Sequence, residues 1–187
     1  MSKHLRFAGI AGILSLILSI PGFYFEAIRS EHPLGMGLTT LYILTLTLNL
    51  ILYVVLCSGF VTLAKKTHNT PLRVASYILI VISIGSFLYT LMSLTVVEIH
   101  DVLNLLFAAL TLVLVGAASI PFGIGILLLR PRFGSLATWL GVLEIISGIS
   151  LMSVIFSIIG ILLIIPVAIL GTILLFRAAE SFDVKHR

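Results

Sequence analysis

The sequence contains little charge and almost no cysteine. Only 10% of its 187 residues are charged, whereas 60% are apolar, and the mean hydropathy is +1.27. Soluble domains carry roughly 25% charged and roughly 45–50% apolar residues. The composition therefore excludes a water-soluble globular domain. The single cysteine, Cys57, excludes an intrachain disulfide and a cysteine-based zinc site.

Motifs of the common enzyme classes are also missing from the sequence. It has no G-x-S-x-G elbow, no H-E-x-x-H zinc pair, no phosphate-binding glycine loop and no dinucleotide fingerprint. All five histidines lie at the ends of apolar runs or in the tails, which does not favour axial haem ligation. The sequence therefore predicts no catalytic residue, no cofactor and no enzymatic activity.

Long apolar runs separated by clusters of charge dominate the sequence. A helix needs about 20 apolar residues to cross a bilayer, because lipid offers no hydrogen-bond partner to the backbone. The runs cover residues 7–25, 35–64, 74–97, 102–129 and 133–176, and the last is long enough for two helices with a turn near Ser150 to Gly160. The pattern predicts an all-α integral membrane protein.

The predicted architecture is a single domain, 1–187, built as a six-helix transmembrane bundle. Three sequential helical hairpins would make up this bundle. The approximate spans are 7–27, 36–63, 74–97, 102–129, 133–152 and 156–176. The first span is interpreted as a retained helix, because its apolar run exceeds the roughly 7–15 residues of a signal peptide.

The distribution of Lys and Arg predicts the orientation of the helices. With six spans, every Lys and Arg except Arg29 falls on the side shared by both termini and by the loops 65–73 and 130–132. Cytoplasmic loops are enriched in Lys and Arg. We therefore expect a multi-pass protein of the plasma membrane with both termini in the cytoplasm. The net charge of +4 then reflects orientation, and no nucleic-acid partner is predicted.

The first apolar run carries a narrow stripe of small residues. Its members recur at helical spacing and are Ala8, Gly12, Ser15, Ser19 and Gly22. Membrane helices associate through such faces, because small side chains let two backbones approach closely. The stripe predicts a packing face for another helix, either in the same chain or in a different subunit.

The second run carries a polar stripe. Its members are Tyr42, Thr45, Asn49, Tyr53 and Cys57. An asparagine without a hydrogen-bond partner is costly in hydrocarbon, so this face is expected to point into the bundle. It would serve either to hold helices together or to line a polar pathway.

Glu144 is the only acidic residue deep inside a predicted span. It follows Arg132 by twelve residues, which places it about 18 Å into the membrane in a straight helix. A carboxylate at that depth must be neutral, solvated by a cavity or paired with a cation from another chain. Gly141 and Gly148 share its helix face, which predicts a packed interface. Asn49 lies at a similar depth and is the predicted hydrogen-bond partner of Glu144.

Prolines and glycines interrupt two of the runs. Pro121 and Pro166 lie inside spans, where proline removes a backbone hydrogen bond and favours a kink. Glycines at 116, 123 and 125 are expected to loosen the fourth helix further.

Acidic residues and histidines gather near two loops on the side opposite the termini. They are Glu31, His32, Glu98, His100 and Asp101. Carboxylate and imidazole groups bind borderline metals, but two short loops need not meet, and Asp101 has a simpler role as a helix N-cap. The sequence alone therefore assigns no metal site.

Three functions remain open on the sequence alone. The leading hypothesis is a non-catalytic integral membrane subunit or scaffold, which would pack with other membrane-protein subunits or as a homo-oligomer in the bilayer. The alternative is a small transporter or channel, in which the intramembrane carboxylate of Glu144 couples proton or cation movement and Asn49 contributes to the site. A metal-dependent membrane enzyme using the outer loops is the third hypothesis.

Overall fold

The computed structural model describes residues 2–31, 35–95, 101–153 and 156–183, and this part of the chain is almost entirely helical. The helices are α1 (Ser2–Glu31), α2 (Met36–Lys66), α3 (Thr70–Thr95), α4 (Asp101–Leu127), α5 (Arg130–Phe133), α6 (Ser135–Met152) and α7 (Ser157–Asp183). No strand occurs in these ranges. All helices except α5 are long and apolar enough to cross a membrane. The protein is therefore an all-helical, multi-pass membrane protein in a lipid bilayer.

The six long helices form a closed ring. Each helix packs against the next long helix along the chain, and α7 returns to pack against α1. The outer surface of the ring is apolar, with large side chains such as Ile20, Val81 and Leu105 mostly exposed. A lipid environment makes this exposure favourable, because the hydrocarbon tails are as apolar as the side chains.

Helices α4 and α6 pack closely against each other through two pairs of glycines. A Cβ atom added to Gly116 would lie 2.6 Å from the carbonyl oxygen of Gly148, and one added to Gly123 would lie 2.8 Å from that of Gly141. Any side chain here would collide with the opposite backbone. The glycines of α4 therefore serve as contact points, and α4 continues through Pro121 without a break.

The buried core is concentrated at the end of the bundle that carries the basic residues, which we call the basic end. Its basic side chains in the described ranges include Lys3, Arg6, Lys65, Lys66, Arg73, Arg130, Arg132 and Arg177. Fully buried side chains from all six long helices meet just inside this end: Leu5, Leu63, Leu72, Ile126, Leu140, Leu174 and Leu175. Their burial holds the ring together at this end through dispersion contacts.

Asn69 fixes the connection between α2 and α3. Its side-chain oxygen accepts a hydrogen bond from the backbone N–H of Leu72 at 3.1 Å, which caps the start of α3. Its amide nitrogen donates to the carbonyl oxygen of Gly125 at 2.6 Å. One buried side chain therefore joins the turn, α3 and α4.

A polar cluster joins α1, α2 and α3 at the opposite end, which we call the Glu26 end. The buried hydroxyl of Tyr42 donates to the Glu26 carboxylate. Arg29 donates to the hydroxyl of Ser93 at 2.7 Å and lies 3.7 Å from Glu26. Hydrogen bonds, more than apolar packing, connect the helices here.

Candidate functional site

The interior of the ring contains two adjoining cavities. The first has a volume of about 210 Å³ and is lined by α2, α3, α4, α6 and α7. The second has a volume of about 400 Å³ and lies closer to the Glu26 end, with α1 in its wall in place of α6. We call them the Glu144 cavity and the vestibule. Five residues line both cavities and form the boundary between them: Tyr53, Leu56, Val115, Ile164 and Ala168.

Glu144 lies in the wall of the first cavity, near the middle of α6. Nine residues separate it from Ser135 and eight from Met152, so it lies about 14 Å and about 12 Å from the two ends of the helix. Only 7% of its surface is exposed. The two glycine contacts between α4 and α6 flank it, which places the carboxyl group in the interior of the ring.

Ser119 is the hydrogen-bond partner of Glu144 on the facing helix. It lies between the two contact glycines of α4, as Glu144 lies between those of α6, with the same residue spacing. Every buried side-chain nitrogen and oxygen in the described ranges has a hydrogen-bond partner. The carboxyl group is therefore satisfied by a neutral donor.

Tyr53 and Cys57 of α2 face Glu144 across the cavity. Both interact with it electrostatically, and the Tyr53 side chain forms hydrogen bonds with Cys57 and with Ser83 of α3. Lys, Arg and His are missing from the residues that line either cavity in the described part of the chain. Glu144 thus has hydroxyl and thiol neighbours but no cationic partner.

Apart from Ser147, whose hydroxyl donates to the backbone oxygen of Gly160, the rest of the Glu144 cavity is apolar. Phe60 and Phe122 meet edge to face, with ring centroids 5.0 Å apart, one helical turn closer to the basic end than Cys57 and Ser119. Leu79, Leu140 and Val167 complete the wall. The cavity therefore places one acidic group opposite an extended hydrocarbon surface.

The vestibule is lined by neutral polar side chains. They are Ser15, Ser19, Asn49, Ser83, Ser86 and Thr90. Ser15 donates to the side-chain oxygen of Asn49 at 2.6 Å, and Ser19 donates to the backbone oxygen of Ser15 at 2.8 Å. These groups place uncharged polar positions in a wall that is otherwise apolar, with side chains such as Leu50 and Phe87.

The predicted hydrogen bond between Asn49 and Glu144 is not formed. Asn49 pairs with Ser15 in the vestibule, whereas Glu144 pairs with Ser119 in the other cavity. Similar depth in the membrane does not give the direction in which a side chain points around its helix. Within the polar stripe of α2, Asn49, Tyr53 and Cys57 line the cavities, while Thr45 donates to the backbone of its own helix at Leu41.

The stripe of small residues on α1 changes its surroundings along the helix. Ala8 packs against Gly59, where an added Cβ would lie 2.5 Å from the Ala8 Cβ. An added Cβ at Gly12 would lie 2.6 Å from the hydroxyl oxygen of Thr172. Ser15 and Ser19 line the vestibule, and a Cβ at Gly22 would have no neighbour within 4 Å. The first half of the stripe thus contacts α2 and α7 of the same chain.

The acidic residues and histidines near the two loops opposite the termini lie outside what the structure describes. His32, Glu98 and His100 fall in the gaps, and so do the side chains of Glu31 and Asp101. Within the described ranges, no three His, Cys, Asp or Glu residues lie close enough together to hold a metal ion. The hypothesis of a metal-dependent enzyme at this rim therefore stays untested.

Two residues near Glu144, Ser119 and Tyr53, were not recognised from the sequence as part of its site. Ser119 could have been found, because α4 repeats the spacing of α6 with a serine in place of the glutamate and glycines on both sides. Tyr53 was noticed only as part of a stripe. Its position at the boundary of two cavities depends on the closed ring, for which the sequence carries no local signal.

Comparison of the chain with protein-family models, with curated proteins and with solved structures finds no match. The function is therefore inferred from the geometry of the site.

Proposed function

We propose that the protein is a small transporter in which Glu144 couples the movement of a proton or another cation through the interior of the ring. The observation that supports this proposal is a buried carboxyl group that lines an internal cavity and has no cationic partner among the residues that the structure describes. An unpaired charge at this depth is costly. The site is therefore electrically neutral in two states, one with a proton on Glu144 and one with a bound cation. Because these states exclude each other, one ion must leave before the other binds.

The position of Glu144 does not support the subunit hypothesis that the sequence favoured. A carboxyl group that fastens a partner subunit must lie on the outer surface, whereas this one points into the ring of its own chain. The scaffold role stays a prediction. Purification in mild detergent tests it, because a subunit should bring larger partners with it. Recovery as a lone chain or a small homo-oligomer would contradict it.

We also propose that the protein lies in the plasma membrane and that its basic end, with both termini, faces the cytoplasm. The concentration of Lys and Arg at that end supports the orientation. The test replaces the buried Cys57 with serine and introduces Lys66→Cys or Met36→Cys for labelling by a membrane-impermeant maleimide. We expect whole cells to label position 36 only. Labelling of both positions from outside would contradict the topology.

A flux measurement tests the role of Glu144. The purified protein is reconstituted in vesicles that contain a pH-sensitive dye, and a cation gradient is imposed. Glutamine keeps the size of the side chain and its contact with Ser119 but cannot release a proton. We therefore expect Glu144→Gln to reduce proton flux at least about tenfold, as for groups that act directly in proton transfer.

Glu180→Gln is the matched control. Glu180 is an exposed glutamate of α7 near the basic end. The proton flux of the Glu180→Gln variant is therefore expected to equal that of the wild type. Gel filtration shows whether both variants assemble like the wild type. Unchanged proton flux in a well-folded Glu144→Gln protein would remove the proposal.

A further inference from the structure

We propose that the Glu144 cavity binds a small lipophilic ammonium ion, which reaches it from the vestibule past Tyr53. The charged nitrogen would pair with Glu144, and the hydrocarbon part would fill the apolar remainder of the cavity. This inference rests on the proposed function, because it names the class of cation that exchanges with the proton of Glu144.

The polar wall of the cavity fits an ammonium head group. An ammonium nitrogen donates up to three hydrogen bonds and accepts none. Glu144, Ser119 and Tyr53 supply acceptor oxygens in the lining of one small cavity. A bare metal cation is a poorer fit, because hard cations take about six or more oxygen ligands and most of this wall is hydrocarbon.

The apolar wall sets the size and character of the rest of the ligand. Phe60 and Phe122 form a floor of aromatic rings, and leucine and valine side chains surround it. The volume of about 210 Å³ is below the roughly 300–1,000 Å³ of sites for drug-sized molecules. The site therefore suits an amine with a body about as large as one six-membered ring.

Binding exchanges one proton for one cation. In the empty state the O–H bond of Glu144 is intact, and on binding this bond breaks, the proton passes to water and the carboxylate pairs with the ammonium ion. The site is neutral before and after the exchange, so tighter binding is expected at higher pH. The titratable groups that face Glu144 are Tyr53 and Cys57 of α2. In the cavity lining, α3, α4 and α7 contribute no acidic or basic side chain.

The charge distribution of the bundle favours entry from the Glu26 end. Lys and Arg side chains at the basic end repel a cation, whereas the vestibule extends toward the end that carries Glu26. The hydroxyl oxygens of the vestibule can accept hydrogen bonds from an ammonium ion as it passes. Tyr53 lies at the boundary and is held by Ser83 and Cys57, so its side chain must move before the ligand passes.

Cyclohexylammonium is a suitable probe, with cyclohexanol as the neutral analogue of the same shape. Binding to the purified full chain is measured by calorimetry between about pH 6 and about pH 8, where the probe stays protonated. Because one proton is released, the dissociation constant of the amine should fall by up to about tenfold per pH unit. Binding of the amine that does not depend on pH would overturn the proposal.

The Glu144→Gln variant shows how much of the affinity depends on the charge of Glu144 and how much on the shape of the cavity. We expect it to weaken binding of cyclohexylammonium at least about tenfold, because the ammonium ion loses its counter-charge. Cyclohexanol does not use that charge, so its affinity should stay the same. An equal loss for both probes, or no loss for the amine, would contradict the proposal.

The route is tested by filling the vestibule. Ser86 lines the vestibule but not the Glu144 cavity. We therefore expect Ser86→Phe to slow the association of radiolabelled cyclohexylammonium several-fold and to leave the equilibrium affinity unchanged. Val81→Phe is the matched control, because Val81 lies on the same helix and is 67% exposed on the outside. Ser86→Leu replaces the larger variant if that one does not fold. Equal association rates in the vestibule variant and the control would overturn the route.

Flux measurements distinguish this proposal from the proposed function. If sodium or potassium gradients drive proton flux that depends on Glu144, but cyclohexylammonium does not bind, the ligand class is wrong and the transporter role stands. If the amine binds in a Glu144-dependent manner but no gradient drives flux, the ligand class stands and the transporter role is wrong.

Discussion

The two ends of α2 are packed very differently. In the first two thirds of the helix, residues 36–56, Tyr42 is the only buried residue, whereas the last third, near the basic end, buries Cys57, Gly59, Phe60, Val61, Leu63 and Ala64. The same difference extends across the ring, because the fully buried leucines cluster at the basic end and the vestibule lies toward the Glu26 end. One part of the bundle is therefore tightly packed, and the other part contains the larger of the two cavities.

The largest expected effect is overpacking at the α4–α6 contact. Gly123→Ala would place a Cβ 2.7 Å from Ile145 and 2.8 Å from the Gly141 oxygen, so we expect a loss of about 1–3 kcal/mol in stability. Gly85→Ala is the control, because nothing lies within 4 Å of its Cβ position. Thermal unfolding in detergent, followed by circular dichroism, measures both. Equal stability of the two variants would mean that this contact is not a main source of stability.

A smaller effect is expected when a hydrogen-bond anchor is removed at either end. Asn69→Ala loses the cap of α3 and the bond to Gly125, which should cost about 1–2 kcal/mol. Asn104→Ala at the Glu26 end loses the bond from the Tyr89 hydroxyl, 2.9 Å long and only partly buried, and should cost less. The same unfolding measurement compares them. A greater loss for Asn104→Ala would reverse the contrast between the two ends.

The smallest effect is expected at the surface of the basic end. Arg6 and Asp183 form an ion pair at 2.9 Å that joins the first and last helices, but their side chains are 54% and 46% exposed. Exposed pairs contribute about 0–1 kcal/mol, so Arg6→Ala should barely change stability, and added salt should remove the difference. A loss as large as that of Asn69→Ala would show that surface charge, and not the buried core, stabilises this end.

The number of helices could be predicted from the sequence, because a membrane span needs a long apolar run and charges interrupt such runs. Within the described ranges, six helices are long and apolar enough to cross a membrane. The short helix Arg130–Phe133 was missed, since four residues are too few for a hydropathy pattern. Residues 130–132 were interpreted as a loop, and Phe133 as the first residue of the fifth span.

The site could be predicted only in part. Glu144 was identified because an acidic residue deep in an apolar run is conspicuous without any knowledge of packing. Its pairing with Asn49 was wrong, because depth along a helix is readable from the sequence but the rotation of each helix in the ring is not. The glycines of α4 were expected to loosen that helix. They are contact points because of a facing backbone that no local pattern reveals.

The glycine contacts between α4 and α6 also set how far apart these two helices lie. A glycine of α6 faces the backbone of α4 on either side of Glu144, so a larger side chain at these positions would push the two helices apart. If the protein transports ions as proposed, we expect this pair to stay together as a unit through the cycle, and the less tightly packed part of α2 is the more suitable place for a movement.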